Sequence, residues 1–164
     1  MEYKFRGFDA TGQKGWVYGD LVHNQKVTRT GLEPRVMVGG YEVVPESVGL
    51  CTGLKDKNGK EVYEGDIVIN HWCFADESIV KFGTYQHLNA QREYANGDLG
   101  FFLYHLDDFK RKVERNDILF FFCNEERGEV IGNVFENKDM TKWVAGLIGT
   151  GIREEERKFN IVGK

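Results

Sequence analysis

Three acidic residues in the middle of the chain, Asp56, Glu64 and Asp66, are the strongest candidates for a functional site. They accompany two turn signals, the pair Asn58-Gly59 and the short segment Glu64-Gly65-Asp66. Carboxylates that line a groove can bind a ligand, and on this interpretation the three acids are ligand-binding residues. Aspartates can also accept hydrogen bonds from the amides of their own turns, which would make the segment a double-turn element that specifies the fold. The sequence leaves both interpretations open.

A metal site is a second chemistry to consider, because His71 and Cys73 would point to the same face of a strand. A structural zinc site needs four ligands, usually supplied as two close pairs. The remaining histidines and cysteines are not spaced as such pairs. We therefore expect no bound metal and no cofactor.

Catalytic signatures are missing from the sequence. It contains neither a nucleophile elbow, G-x-S-x-G, nor the glycine-rich patterns that cradle phosphates. The adjacent carboxylates Asp107-Asp108 and Glu125-Glu126 would point apart on an extended segment. We predict that the protein has no catalytic residues and is not an enzyme, with a small-molecule-directed enzyme kept as an alternative.

Binding of single-stranded nucleic acid is a further alternative. Small β-barrels stack bases on surface aromatics inside a basic groove. At the N-terminus, aromatic residues alternate with Lys4 and Arg6, and residues 110–112 form a second basic cluster. The net charge of −4 argues against this alternative.

Composition describes an ordinary globular chain. The 164 residues include 22 Lys+Arg and 26 Asp+Glu, and 41% of them are hydrophobic, which excludes a disordered protein. No apolar run approaches the roughly 20 residues of a membrane-spanning helix, and the first residues lack the apolar stretch of a signal peptide. Three cysteines, an odd number, are expected to be reduced thiols. These features predict a cytoplasmic protein without membrane contact.

A period of two dominates the hydrophobic pattern and predicts a mostly β protein of six to nine short strands, in a small barrel or rolled β-sandwich. Residues 23–33 are polar and are expected to be irregular, and residues 86–98 are expected to form a loop. The apolar runs 100–106 and 117–123 are expected to be strands covered on both faces.

The C-terminal segment has a different pattern. Met140, Trp143, Val144, Leu147 and Ile148 recur at helical spacing and predict an amphipathic helix. We therefore divide the chain into a β domain over residues 1–139 and a C-terminal helix with a charged tail over residues 140–164. The apolar stripe and the doubly apolar strands also predict a homo-oligomer, most simply a two-fold dimer.

Residues 52–68 read TGLKDKNGKEVYEGDIV and closely resemble the signature of the YopX family of phage and prophage proteins. The opening residues 4–9 and the closing residues 130–137, VIGNVFEN, are similar to the two ends of that family's pattern. The resemblance implies a mostly β, barrel-like fold, and it implies no assigned activity and no catalytic residues. Together with the expectations above, it predicts a phage or prophage protein that acts as a binding or assembly module, with a host or phage protein as its partner.

Overall fold

The computed structural model describes residues 3–70, 74–85, 98–105 and 128–139. Eleven β-strands account for most of these ranges, and a short 3-10 helix follows the fifth strand. The strands are β1 Phe5–Phe8, β2 Trp16–Gly19, β3 Leu21–Thr28, β4 Gly31–Val38, β5 Tyr41–Glu42, β6 Gly49–Lys55, β7 Glu61–Tyr63, β8 Asp66–Asn70, β9 Phe74–Tyr85, β10 Asp98–His105 and β11 Gly128–Asn133, and the 3-10 helix is Pro45–Ser47.

The strands form three antiparallel sheets, with the orders β2-β1-β6-β7, β3-β4-β5 and β10-β9-β8-β11. The mostly β prediction is therefore confirmed. The barrel prediction is wrong for the described residues, because none of the three sheets closes on itself. A period of two shows only that one face of a strand is buried, and it does not show which strands pair.

Three hydrophobic clusters hold the sheets together. The largest contains Val62 of β7 with Val68, Val80, Leu103 and Val130, so it packs the edge of the first sheet against the third. A second joins Val17, Val38 and Val43 between the first sheet and β4. The third lies on the other face of the third sheet and contains Ile67 and Ile79, with Tyr104 and Val134 packed against them. Two of the three clusters thus lie at junctions between sheets, and the third covers the other face of the third sheet.

Residues 23–33 are not irregular, and the prediction for this segment is wrong. They belong to a long hairpin in which β3 pairs with β4 from Leu21 opposite Val38 to Thr28 opposite Gly31. Both faces of the hairpin are mostly exposed, so its polar residues do not alternate with apolar ones in the usual way. Its turn, Arg29-Thr30, also lacks the Asn-Gly signal that marks tight hairpins.

The remaining predicted elements fall partly inside and partly outside the described residues. The strand expected within residues 100–106 is present as β10. The predicted strand 117–123, the metal candidates His71 and Cys73, and the helix and tail over residues 140–164 lie outside the described residues. No α-helix occurs in the ranges that the structure describes, so the predicted C-terminal helix has no support. Within those ranges, no helix is long and apolar enough to span a membrane.

Candidate functional site

Asp66 closes the turn between β7 and β8. Its Oδ2 accepts a hydrogen bond from the backbone amide of Tyr63 at 2.8 Å, as the turn interpretation predicts. Gly65 supplies the positive φ of 82° that the turn requires. The backbone of Gly65 also donates to the Val80 carbonyl and accepts from the amide of Val134. The turn therefore connects the first sheet to β9 and to the segment that follows β11.

Arg6 of β1 forms a buried ion pair with Asp66, with 2.5 Å between Nη1 and Oδ1. The Arg6 and Asp66 side chains are only 7% and 1% exposed. The guanidinium lies between two aromatic rings, 4.7 Å from the centroid of Trp16 and 5.0 Å from that of Tyr63. Its Nη2 donates to the Glu64 carbonyl at 3.2 Å. Within the described residues, Arg6 Nε has no hydrogen-bond acceptor.

A glycine allows this close approach. An added Cβ on Gly49 of β6 would stand 2.4 Å from the Glu64 carbonyl oxygen, closer than any side chain can pack. The absence of a side chain at this position thus lets β6 lie against the turn whose carbonyl accepts from Arg6.

Burial has the largest effect on the pKa of Asp66, the acidic partner of the pair. Removal from water raises the pKa of the Asp66 carboxyl, and the Arg6 charge and the Tyr63 amide oppose that rise. The protonated acid is therefore favoured in the folded state relative to the unfolded chain.

We therefore expect Asp66→Asn to show a specific pH dependence. Between the ordinary aspartate pKa of 3.8 and the raised value of the folded protein, the folded state binds more protons than the unfolded state. The free energy of unfolding of the wild type, relative to Asp66→Asn, should accordingly fall as the pH rises through this window. Urea unfolding of both proteins between about pH 3.5 and pH 7 measures the difference. If the free energy of unfolding of the wild type, relative to that of Asp66→Asn, rose with pH, the prediction would be contradicted.

Asp56 is buried and serves a second turn. Its Oδ1 accepts from the backbone amides of Asn58 at 2.8 Å and Lys60 at 2.9 Å, as predicted for the Asn58-Gly59 turn. Its Oδ2 accepts from the amide of Val130 on β11 at 3.1 Å. The same carboxylate therefore shapes the β6–β7 hairpin and attaches it to a strand 74 residues further along the chain.

Glu64 differs from the two aspartates because its side chain is only partly buried. Its Oε1 accepts from the amide of Phe82 on β9 at 3.3 Å. It also faces Lys81, whose pKa is lowered by burial and raised in part by the Glu64 charge. The ammonium of Lys81 lies 4.4 Å from the centroid of the Tyr104 ring. The Glu64 side chain thus contacts β9 of the third sheet.

The side chains of the three predicted site residues therefore have separate partners, although Arg6 also contacts the backbone carbonyl of Glu64. Asp56 binds three backbone amides, Asp66 binds one amide and Arg6, and Glu64 binds one amide and faces Lys81. The arrangement supports the double-turn interpretation of these residues more strongly than the ligand groove. Among the described residues, no three histidine, cysteine or acidic side chains are grouped as metal ligands.

The aromatic and basic residues of the first strand are also largely engaged. Phe8 packs against the rings of Trp16 and Phe135, with centroids 5.6 and 5.3 Å away. Lys4 Nζ lies 2.6 Å from Glu61 Oε2, and the Tyr63 hydroxyl donates to the same oxygen at 2.7 Å. The hydrogen bonds from Lys4 and Tyr63 lower the pKa of Glu61, whereas burial and the hydrogen bond to Glu61 raise the pKa of Tyr63. The pattern that suggested a nucleic-acid surface thus forms mainly internal contacts.

The three sequence segments that resemble the YopX signature meet at this site. Arg6 of the first segment contacts Asp66 of the second, and Asp56 of the second contacts Val130 of the third. A family model described as YopX protein matches residues 4–141, which is most of the chain. This chain belongs to the YopX family. The match includes every residue of the site and ends near the start of the proposed C-terminal segment.

One solved structure similar to this YopX chain is the crystal structure of protein EF1440 from Enterococcus faecalis. The two are 21% identical, the similarity covers 85% of this chain and 98% of that chain, and the TM-score is 0.42. No curated protein sequence matches the chain.

Arg6 is the site residue that sequence reasoning missed. Its position in an alternating aromatic and basic run suggested an exposed strand face, and no local pattern pairs it with Asp66. The one available signal was the resemblance, since residues 4–9 and 52–68 both carried it.

Proposed function

We propose that the protein is a cytoplasmic, phage- or prophage-encoded binding and assembly module without catalytic activity. We propose further that it binds through the β3–β4 hairpin, residues 21–38, which we call the ribbon. The acids of the central motif have the structural role described above. The observation that carries the proposal is the exposed apolar end of the ribbon.

The ribbon has one face that begins in the core and continues into solvent. Opposite residues of an antiparallel pair share a face, and so do residues two apart. Leu21 and Val38 are opposite each other and belong to a core cluster. Further along the same face, Val27 lies opposite Leu32, and the two are 85% and 64% exposed. His23 and Gln25 lie between these two pairs on the same face, so the exposed Val27 and Leu32 form a separate apolar patch. An exposed apolar patch of this kind is typical of a surface covered by a partner.

The central motif offers less to a partner. Asp56 and Asp66 are buried, and their oxygens already accept from backbone amides or contact Arg6. A ligand at these carboxylates would have to displace bonds that connect the sheets. This cost supports a binding surface elsewhere on the molecule.

A pair of matched leucine variants tests the proposal. Leu32 on the ribbon and Leu99 on β10 are both largely exposed, at 64% and 72%. We expect Leu32→Ser to reduce capture of the protein's partners from its native host cells at least about tenfold, and Leu99→Ser to leave capture unchanged. Both variants should unfold within about 0.5 kcal/mol of the wild type, because exposed substitutions have small effects on stability.

The capture experiment includes a nuclease-treated arm. Protein partners that survive nuclease and are lost in Leu32→Ser support the proposal. Equal capture by the two variants would contradict it. Capture that depends on nucleic acid would favour the nucleic-acid alternative instead.

A further inference from the structure

We infer that β3 of the ribbon pairs with β3 of a second copy of this chain, across a two-fold axis beside Gln25. The inference rests on the proposed function, since it assigns a second copy of the chain as a partner of the same ribbon. Two ribbons joined in this way form one continuous antiparallel sheet.

β3 is an outer strand of its sheet, so alternate residues of β3 direct their backbone N–H and C=O groups to an open edge. The Val36 carbonyl accepts from the amide of Val43, so the backbone groups of Val36 point away from β3. In an antiparallel pair, the N–H and C=O groups of two opposite residues either point toward each other or both point away from the neighbouring strand. His23 lies opposite Val36, and its N–H and C=O therefore point to the outer edge. Gln25 and Val27 follow by alternation.

Pro34 supports this assignment and closes the other edge. It lies opposite Gln25, and the backbone groups of this pair point away from each other. The ladder between β3 and β4 therefore requires no amide from residue 34. Its ring therefore occupies the outer edge of β4, beyond the short strand β5, which pairs only with Met37 and Val38. A proline at that position prevents strand addition. The edge of β3 has no proline, and no hydrogen bond among the described residues uses the backbone groups of His23, Gln25 or Val27.

Charge does not oppose the pairing. Lysine on an edge strand usually blocks strand addition. Here Lys26 Nζ reaches across the sheet to Glu42 Oε1 at 2.6 Å, so its charge is paired within the same copy. Asn24, the neighbouring residue on that face, accepts from Arg35 Nε at 2.6 Å. No acidic residue occurs within β3.

The side chains are complementary under the same symmetry. With Gln25 opposite the Gln25 of the second copy, His23 of each copy lies opposite Val27 of the other. Val27, exposed at 85% in the single chain, is then covered on the edge side. Both copies use the same surface, as a two-fold interface requires.

The test is the dependence of mass on concentration. In sedimentation equilibrium between about 1 and 100 µM, we expect the wild type to shift from 18.9 kDa toward twice that mass. Gln25→Pro removes an outward amide and leaves the β3–β4 ladder intact, and it should raise the dissociation constant at least about tenfold. Gln25→Thr is the control and should dimerise like the wild type. Hydrogen exchange at the amides of residues 23 and 27 should slow with concentration in the wild type and in Gln25→Thr, but not in Gln25→Pro.

A second variant, Val27→Lys, covers the case in which Gln25→Pro does not fold. Because this side chain is exposed, the substitution should leave the unfolding transition unchanged and weaken the dimer. A wild type that stays at 18.9 kDa throughout would overturn self-pairing. A dimer that both edge variants retain would overturn it as well. In either case the capture experiment with Leu32→Ser still decides the proposed binding function independently.

Discussion

Replacing Arg6 with Met should lower the free energy of unfolding by about 3 to 5 kcal/mol at pH 7. The substitution keeps most of the side-chain volume between the rings of Trp16 and Tyr63 but removes the charge that faces Asp66. A carboxylate that is 1% exposed is then left without its cation. Urea unfolding followed by tryptophan fluorescence measures the change, because Trp16 lies in the site itself.

The double variant Arg6→Met with Asp66→Asn separates the charge effect from a packing effect. If the unpaired carboxylate causes the loss, the asparagine should restore about half of it or more, because no buried charge then remains. The deficit of the single variant should also shrink at acid pH, where Asp66 is protonated. Additive losses at all pH values would show that the arginine acts by packing alone.

Replacing Asp56 with Ala should cost about 3 kcal/mol. The variant leaves three backbone amides without their acceptor, including the buried amide of Val130 on β11. The loss should appear in the free energy of unfolding. It should also appear as faster hydrogen exchange at Val130, because its amide loses the Asp56 carboxylate and the turn is then held to β11 only through Lys57.

Asp56→Asn is the matched control for this loss. An asparagine keeps one oxygen for the amides of Asn58 and Lys60 but presents an amide nitrogen to the amide of Val130. We expect it to lose the hydrogen bond from the Val130 amide and to retain the turn, so its free energy of unfolding should lie between those of the wild type and the alanine variant. An alanine variant as stable as the wild type would show that Asp56 is not a structural residue.

The sequence contained enough information for the local elements of this fold but not for their assembly. The turn at Asn58-Gly59 follows from its residue types, and most of β10 lies within the apolar run 100–106. The pairing of Arg6 with Asp66 joins residues far apart in the chain, and no local pattern encodes such a contact. The polar composition of residues 23–33 led to the wrong prediction of an irregular segment, because a strand pair exposed on both faces needs no alternation of polar and apolar residues.

For the candidate site too, the sequence predicted the local contacts but not the contacts that depend on how the sheets pack. An aspartate beside a turn has its own turn's amides within reach, so the bonds of Asp56 to Asn58 and of Asp66 to Tyr63 could be foreseen. The second partner of each aspartate, Val130 or Arg6, depends on how the sheets pack. The same dependence on packing hid the exposed apolar face of the ribbon.

Photo-crosslinking in the native host tests most directly whether the ribbon, rather than the acidic motif, carries the binding. A photoreactive residue is placed at Val27 on the ribbon or at Asn58 in the turn of the motif, both of which are exposed. We predict discrete crosslinked products from position 27, to a partner protein or to a second copy, and none from position 58. Products from position 58 with none from position 27 would contradict the account and return the function to the acidic motif.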